Sequence, residues 1–255
     1  MKESNERITV LTIAGFDPSG GAGVIVDVNT INSFGCRPVA AITSLTFQNA
    51  EGVYGATHEG AESLRAQILP IIQEQSLAAI KIGMLPTAEM ILEVAHLIEE
   101  RNLPAPVLDP VLRSSSGYAL IEGDAIEVLQ SELFPLARLL TPNIPEAEAL
   151  TGLKINDEND MRAAAAQLCE KGARAVLIKG GHLALELEAV DVLDDGGEVS
   201  VFRGAWIDAP PLRGTGCMLS SAIAACLGKG LELEESVRRS KDFVTAAIRD
   251  AAKME

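Results

Sequence analysis

Short runs of β-branched and apolar residues alternate with longer amphipathic runs along most of the chain. The short runs are typical of buried strands, and the longer ones carry the apolar spacing of helices. Strands that alternate with helices favour a mainly parallel sheet covered by helices on both faces, so we expect an α/β fold. The predicted strands are residues 8–14, 38–47, 78–82, 106–108, 139–141 and 175–178, with a hairpin of 189–193 and 199–203. The predicted helices are residues 22–34, 61–75, 88–101, 125–136, 146–151, 157–171, 217–227 and 233–252.

The organisation of the chain indicates a single domain over residues 1–255. No segment recurs with the period of a repeat protein, and no low-complexity tract or Pro/Ser-rich linker divides the sequence. The length of 255 residues is that of many single α/β domains.

Composition and charge exclude two classes of protein. With 47% hydrophobic and 22% charged residues, the chain is too apolar for a disordered protein. The formal net charge is −15 and no Lys/Arg-rich block occurs, so we do not expect a general nucleic-acid binder. An anionic substrate is still compatible with this charge, because a few local cations or Mg²⁺ can outweigh it within a site.

The N-terminal segment and the cysteines suggest a compartment. The segment MKESNERITVLTIAG differs from a signal peptide, since acidic residues interrupt its charged part and its apolar run is short. No stretch approaches the ~18 apolar residues of a membrane span. Cys36, Cys169, Cys217 and Cys226 form no CxxC pair, which disfavours a zinc site or a disulfide framework. We therefore expect a cytoplasmic protein that binds no membrane.

Polar residues and glycines follow nearly every predicted strand. In open α/β sheets, ligands bind beyond the carboxyl ends of the strands, so these residues are the candidate site. They are Gly15-Phe16-Asp17, Gln48-Asn49, Lys81 with Met84, Asp109, Asn143, Lys179-Gly180-Gly181 and the loop before Cys217.

Three of these segments leave two interpretations open. The turn GFDPSGGAG fits neither a P-loop nor a GxGxxG fingerprint, and is either a surface for a ligand or a tight turn with a helix cap. Asn143 and Glu146 lie one helical turn apart and suit Mg²⁺, but the same spacing forms a capping box, which the pattern alone favours. The glycines after Lys179 indicate either a passing ligand or a turn.

The segment Arg213-Gly-Thr-Gly-Cys217 is the most specific signal, because it precedes an apolar helix rich in small residues. A helix N-terminus offers unpaired N–H groups and a positive dipole end to an anion. The dipole would favour the thiolate of Cys217, which could then take a proton from a substrate hydroxyl. The alternative is a small buried cysteine, with the glycines serving helix packing.

Seven motifs together resemble one known family. They are TIAGFDPSGGAG, ITSLTFQNAEGV, KIGMLPT, VLDPV, LLTPNIPEAEALTG, VLIKGGH and GTGCMLSSAIA, and they occur in the family's order. The chain resembles the hydroxymethylpyrimidine kinase/hydroxymethylpyrimidine phosphate kinase family of thiamine biosynthesis, within the ribokinase-like superfamily. The resemblance spans about residues 8–250. It implies a sheet of eight or more strands, and ATP-dependent phosphorylation of a pyrimidine CH₂OH and then of the monophosphate. It also implies Mg²⁺ and a homodimer.

The resemblance assigns roles on the substrate and metal sides of the site. The pyrimidine-binding glutamine falls on Gln48, whose amide offers both a donor and an acceptor to an aminopyrimidine. Asp17 and Met84 fall on substrate-pocket loops. The superfamily's Asn-x-x-Glu falls on Asn143 and Glu146 and supports Mg²⁺.

The resemblance also assigns roles around the phosphates. The anion hole falls on Gly214, Thr215 and Gly216, and the catalytic base on Cys217. Asp109 matches an acidic position near the phosphates and the metal. Lys179 matches a nucleotide-side lysine, and Asn143 belongs to the same side.

The chain departs from the family pattern at two positions. Phe16 stands where a serine is usual, and Arg213 where a histidine is usual. We expect Arg213 to place a fixed positive charge near the transferred phosphate or the substrate's own phosphate, with a solvated or carboxylate-paired surface arginine as the alternative. Pyridoxal or pyridoxine kinase is the alternative activity, and a catalytically silent pyrimidine-binding regulator is the alternative class.

Overall fold

A nine-stranded sheet runs through the computed structural model, which describes residues 7–181, 188–209 and 212–253. Its strands are β1 (Thr9–Phe16), β2 (Arg37–Gln48), β3 (Val53–His58), β4 (Leu77–Ile82), β5 (Val107–Leu108), β6 (Leu139–Leu140), β7 (Ala175–Lys179), β8 (Glu188–Asp195) and β9 (Glu198–Ala205). They lie in the order β3-β2-β1-β4-β5-β6-β7-β8-β9. The six neighbouring strands β2, β1, β4, β5, β6 and β7 pair in parallel. Strand β3 at one end of the sheet, and β8 and β9 at the other, add antiparallel pairs.

Helices follow most of the strands, as the alternating pattern predicts. They are α1 (Gly23–Ser33), α2 (Ala61–Glu74), α3 (Ala88–Glu100), α4 (Ala125–Val128), α5 (Ile144–Thr151), α6 (Glu158–Glu170), α7 (Thr215–Gly228) and α8 (Leu233–Ala252). A π-helical turn over Leu129–Leu133 continues α4, where the sequence analysis expected one regular helix. The α/β class and the sheet of eight or more strands are confirmed.

Strand β3 is the element that the sequence analysis missed. It pairs antiparallel with β2 at the end of the sheet, and most of its residues are partly or fully exposed. Gly55 interrupts its centre and Tyr54 points outward, so it lacks the apolar run of a buried strand. The motif VLIKGGH ends at His182, which lies outside the described residues.

The core lies on both faces of the sheet, as expected where helices cover a parallel sheet. Leu11 and Ile13 of β1 belong to the larger apolar cluster, whereas Val10, which directly precedes Leu11, belongs to the smaller one. This alternation follows from the two-residue period of a strand. No helix among the described residues has the length and apolarity that a bilayer span requires.

A buried ion pair joins helix α1 to strand β4 in the interior of the sheet. Lys81 of β4 is fully buried and donates a hydrogen bond to Asp27 of α1 at 2.8 Å. Asp27 also accepts hydrogen bonds from Thr12 Oγ1 at 2.6 Å and from Ser221 Oγ at 2.8 Å. Four elements therefore meet at one carboxylate. Because Ser221 lies one turn after Cys217 in α7, the network fixes the start of that helix against the sheet.

The charges of this network depend on each other. Burial alone would lower the pKa of Lys81, but the charges of Asp27, Cys217 and Asp109 outweigh it and raise that pKa. Lys81 is therefore a permanent cation inside the protein. A buried charge that loses its partner is expensive, whereas an exposed pair contributes little.

We predict that Asp27→Asn lowers the free energy of unfolding by ~3–5 kcal/mol, because it leaves the charge of Lys81 without a counter-charge. The matched control is Asp195→Asn, since Asp195 pairs with Arg138 near the surface and should cost only ~0–1 kcal/mol. Urea denaturation of the three proteins measures both values. Equal, small losses would show that the buried pair is not structurally important.

Candidate active site

A cleft opens at the carboxyl ends of the parallel strands, which is where the sequence analysis expected a ligand to bind. The structure brings all but one of the predicted site residues to this cleft. Those that line it are Asp17, Gln48, Met84, Asp109, Asn143, Glu146, Lys179, Arg213, Gly214, Gly216 and Cys217. Thr215, the first residue of α7, is not among the lining residues.

The N-terminus of α7 forms one wall of the cleft. Gly214 precedes the helix with φ at 75°, a left-handed conformation that favours glycine, and a Cβ there would lie 2.5 Å from the carbonyl oxygen of Gly21. No side chain caps this helix end. Its first N–H groups and its positive dipole end are therefore available to an anion in the cleft.

Cys217 lies in the first turn of α7 and lines the cleft. Burial raises the pKa of its thiol to about 11, and the negative charges of Asp27 and Asp109 act in the same direction. The positive charge of Lys81 opposes this shift without reversing it. Desolvation of the sulfur therefore acts against the thiolate, which the dipole of α7 is expected to favour.

Asp109 and Lys179 form a partly enclosed ion pair beside the helix start. Lys179 Nζ donates to Asp109 Oδ1 at 2.8 Å, and Thr141 Oγ1 donates to the same oxygen at 3.2 Å. Burial alone would raise the pKa of Asp109, but the charges of Lys179 and Lys81 hold it below its usual value. A Cβ on Gly216 would lie 3.2 Å from Lys179 Nζ, so a glycine here lets the pair approach α7.

Asn143 and Glu146 form a capping box at the start of α5. Asn143 Oδ1 accepts from the Glu146 N–H at 2.9 Å, and Glu146 Oε2 accepts from the Asn143 N–H at 2.8 Å. The capping interpretation is therefore confirmed. Because both residues also line the cleft, the Mg²⁺ interpretation stays a prediction that this geometry allows. Burial raises the pKa of Glu146 to about 7, against the opposing charge of Lys179 and with the support of Asp109.

The loops after β1, β2 and β4 also line the cleft. Asp17 is almost fully buried, and its Oδ1 accepts from the Ser19 N–H at 2.8 Å and from Ser19 Oγ at 2.6 Å. Met84 packs over Gly15, where a Cβ would lie 2.9 Å from the sulfur. The GFDPSGGAG segment is thus both a tight turn and a wall of the cleft.

Arg213, directly before the start of α7, hydrogen-bonds to these loops. Its Nη2 donates to Asp17 Oδ2 at 3.1 Å and to Gln48 Oε1 at 2.9 Å. Its Nη1 donates to the carbonyl oxygen of Asn49 at 2.7 Å and to Ser19 Oγ at 3.1 Å. The guanidinium therefore lies against the loops after β1 and β2, paired with a carboxylate.

Further polar residues line the cleft to which the sequence analysis assigns no role, among them Lys81, Arg113, Ser114 and Ser115. For Lys81, a lysine within the apolar run of β4 is itself a signal of a buried charge. Arg113, Ser114 and Ser115 come from the irregular segment after β5, where no periodic pattern marks them.

Comparison with known proteins identifies the family that the chain resembles. A family model described as phosphomethylpyrimidine kinase matches residues 17–255. The chain is 42% identical over 239 residues to the hydroxymethylpyrimidine/phosphomethylpyrimidine kinase of Streptomyces coelicolor, which covers 94% of this chain and 88% of that protein.

Two solved structures are similar to the whole described fold. The phosphomethylpyrimidine kinase of Clostridium difficile superimposes with a TM-score of 0.83 at 39% identity, covering 95% of this chain and 100% of that one. The pyridoxal kinase of Bacillus subtilis, solved as an ADP complex, gives a TM-score of 0.86 at 35% identity, covering 95% of this chain and 92% of that one.

We predict that alkylation of Cys217 by iodoacetamide accelerates about tenfold per pH unit between roughly pH 7 and 9. A thiol with a pKa of about 11 is protonated throughout that range, and its reactive thiolate fraction grows tenfold per unit. Mass spectrometry of the Cys217 peptide measures the rate, with N-acetylcysteine as the reference thiol. A rate already independent of pH between about 7 and 8 would mean that the thiolate is present at neutral pH.

Proposed function

The chain belongs to the phosphomethylpyrimidine kinase family, and we propose that its cleft phosphorylates hydroxymethylpyrimidine and then the resulting monophosphate, with ATP as the donor. The proposal rests on one cleft that these groups line together. A free helix N-terminus with Cys217 lies between the Asp109–Lys179 pair on one side and Gln48 on the other. We also infer that residues 1–255 act as one ribokinase-like kinase domain.

In this proposal the phosphates lie at the start of α7. The N–H groups of Gly214, Thr215 and Gly216 stabilise the negative charge of the phosphoryl group during its transfer, together with the helix dipole. Phosphoryl transfer depends mainly on such positioning and charge stabilisation. Lys179 and Asn143 lie on the nucleotide side.

Cys217 serves as the general base. The hydroxymethyl oxygen forms a bond to the γ-phosphorus, the bond from that phosphorus to the bridging oxygen breaks, and ADP leaves. The hydroxyl proton passes to the Cys217 sulfur. Because burial keeps the thiol protonated at neutral pH, the base is a minor thiolate that the charge of Lys81 supports, and the rate should rise with pH.

The residues around Asp109 suit a magnesium ion. Asp109, Glu146 and Asn143 offer hard oxygen atoms. Within the described residues, no group of three or more His, Cys, Asp or Glu side chains forms a protein-only metal cage. Mg²⁺ commonly uses one or two carboxylates together with substrate phosphates and water, so the donor set fits. Bound there, the ion would supply charge neutralisation for the phosphates.

Substrate recognition is proposed for the opposite side of the cleft. Gln48 pairs with the aminopyrimidine edge, Asp17 lies beside it in the loop after β1, and Met84 offers an apolar contact to the ring. An amide that is buried against a ring rejects analogues that leave its own groups unpaired.

Two further inferences concern the assembly and compartment. The β2–β3 edge exposes Leu45, Phe47 and Tyr54, which fits the homodimer that the family resemblance implies. The described cysteines are all free thiols, which fits a reducing cytoplasm.

The direct test of the activity compares two substrates. The protein is incubated with MgATP and either hydroxymethylpyrimidine or pyridoxal, and ADP release is followed. We predict faster turnover with hydroxymethylpyrimidine, followed by a second equivalent of ADP as the monophosphate is consumed. Preference for pyridoxal would support the alternative kinase activity, and no ADP with either compound would support the silent regulator.

Cys217→Ala should lower kcat by ~10²–10⁴ while changing the KM values less than about twofold, because it removes only the proton acceptor. The matched control is Cys226→Ala, nine residues later in the same helix and buried away from the cleft. Steady-state kinetics measure both. Turnover of Cys217→Ala within about twofold of wild type would make Cys217 a packing residue.

Glu146→Gln should raise the Mg²⁺ concentration needed for half-maximal activity, because it removes a charge and keeps the shape. Glu148→Gln is the control in the same helix, since Glu148 faces Lys154 instead of the cleft. A Mg²⁺ titration at saturating ATP measures the shift. Unchanged titrations would leave Glu146 as a capping residue alone.

A further inference from the structure

We propose that Arg213 is a positioning residue that orients the amide of Gln48, and thereby determines which edge of a ring the cleft accepts. This inference rests on the proposed function, because it names how the same cleft selects its substrate. It is carried by the hydrogen bonds of one guanidinium.

Arg213 fixes the orientation of the Gln48 amide. An arginine carries only donors, so the Gln48 atom that faces Arg213 Nη2 at 2.9 Å is the oxygen. The Nε2 group of Gln48 must then face away from Arg213, and it has no hydrogen-bond partner among the described residues. The cleft therefore presents an amide nitrogen as a donor, with the second lone pair of Oε1 beside it as an acceptor.

The donor and the acceptor of the Gln48 amide fit one kind of ring edge. A donor and an acceptor side by side match a ring nitrogen that accepts and a neighbouring amino group that donates. An aminopyrimidine edge has that order. A ring with a hydroxyl donor but no adjacent amino group satisfies only part of it, and leaves a polar group of Gln48 unpaired.

Four hydrogen bonds hold the Arg213 guanidinium in place. All four terminal N–H groups are used, by Asp17, Gln48, Ser19 and the Asn49 carbonyl oxygen. Asp17 is almost fully buried and is the one carboxylate in this set, so it supplies the counter-charge. The arginine therefore joins the loops after β1 and β2 to the start of α7.

Gly21 makes room for this arrangement. A Cβ at Gly21 would lie 3.0 Å from Arg213 Nη1 and 3.3 Å from its Cζ, so a side chain there would push the guanidinium away by a few tenths of an ångström. Because Gly21 itself has no hydrogen bond to Gln48 and does not line the cleft, it offers a way to move Arg213 without deleting it.

This geometry also bears on the expectation that Arg213 supplies charge to a phosphate. Its terminal donors are committed to protein oxygens, and a phosphate would have to replace at least one of them. An orienting role predicts equal harm to both phosphorylation steps, whereas a phosphate-binding role predicts greater harm to the monophosphate step. The two roles are thus separable by kinetics.

The test is a double-mutant cycle. Arg213→Ala should raise the KM of both pyrimidine substrates by about tenfold, with the KM of ATP unchanged and kcat reduced less than about threefold. In a Gln48→Ala background, Arg213→Ala should add less than about twofold, because Arg213 acts through Gln48. Arg213→Lys should not rescue, since an ammonium cannot reproduce the planar fork.

Gly21→Ala provides the second variant and should raise the pyrimidine KM in the same direction while every hydrogen-bonding side chain remains. It decides the question if Arg213→Ala fails to fold. Additive effects of Arg213→Ala and Gln48→Ala, a matching rise in the KM of ATP, or selective loss of the monophosphate reaction would each overturn the proposal. Wild-type turnover of hydroxymethylpyrimidine reports on the proposed function separately.

Discussion

The buried ion pair of Lys81 and Asp27 is the interaction on which the cleft depends. It lies where β1, β4, α1 and α7 converge, and Ser221 connects it to the helix whose first turn carries Cys217. A buried pair of this kind adds little net stability compared with an apolar core, but a misplaced partner is costly. The pair therefore specifies one position of α7 relative to the sheet, and with it the position of the N–H groups that we propose bind the phosphates.

Electrostatic balance within the cleft follows from that placement. The chain as a whole is strongly acidic, yet three cations of the cleft have a carboxylate partner: Lys81 pairs with Asp27, Lys179 with Asp109, and Arg213 with Asp17. Arg113, the fourth cation that lines the cleft, donates to the carbonyl oxygen of Gly117 instead. Donors for a phosphate are therefore the backbone N–H groups of α7 together with Arg113. Burial raises the pKa of the Cys217 thiol and that of the Glu146 carboxyl. The nearby cations Lys81 and Lys179 do not reverse these shifts, because each is already paired with another carboxylate.

Much of this was accessible from the sequence, and the exceptions have physical reasons. Buried strands and amphipathic helices have strong periods, so nearly all elements were predicted within a few residues. The edge strand β3 was missed because exposure and Gly55 remove the period. The position of Cys217 could be predicted, but its protonation could not, because desolvation depends on residues distant in the chain. The hydrogen bonds of Arg213 join positions about 165 and 196 residues apart, and no local pattern encodes such a contact.

We propose that a single cleft carries out both phosphorylation steps. The most direct measurement follows formation of labelled diphosphate from labelled monophosphate at saturating MgATP, while unlabelled hydroxymethylpyrimidine is added. We expect purely competitive inhibition, with an inhibition constant equal to the KM of hydroxymethylpyrimidine as a substrate. Noncompetitive inhibition, or diphosphate formation that is unaffected by saturating hydroxymethylpyrimidine, would contradict it.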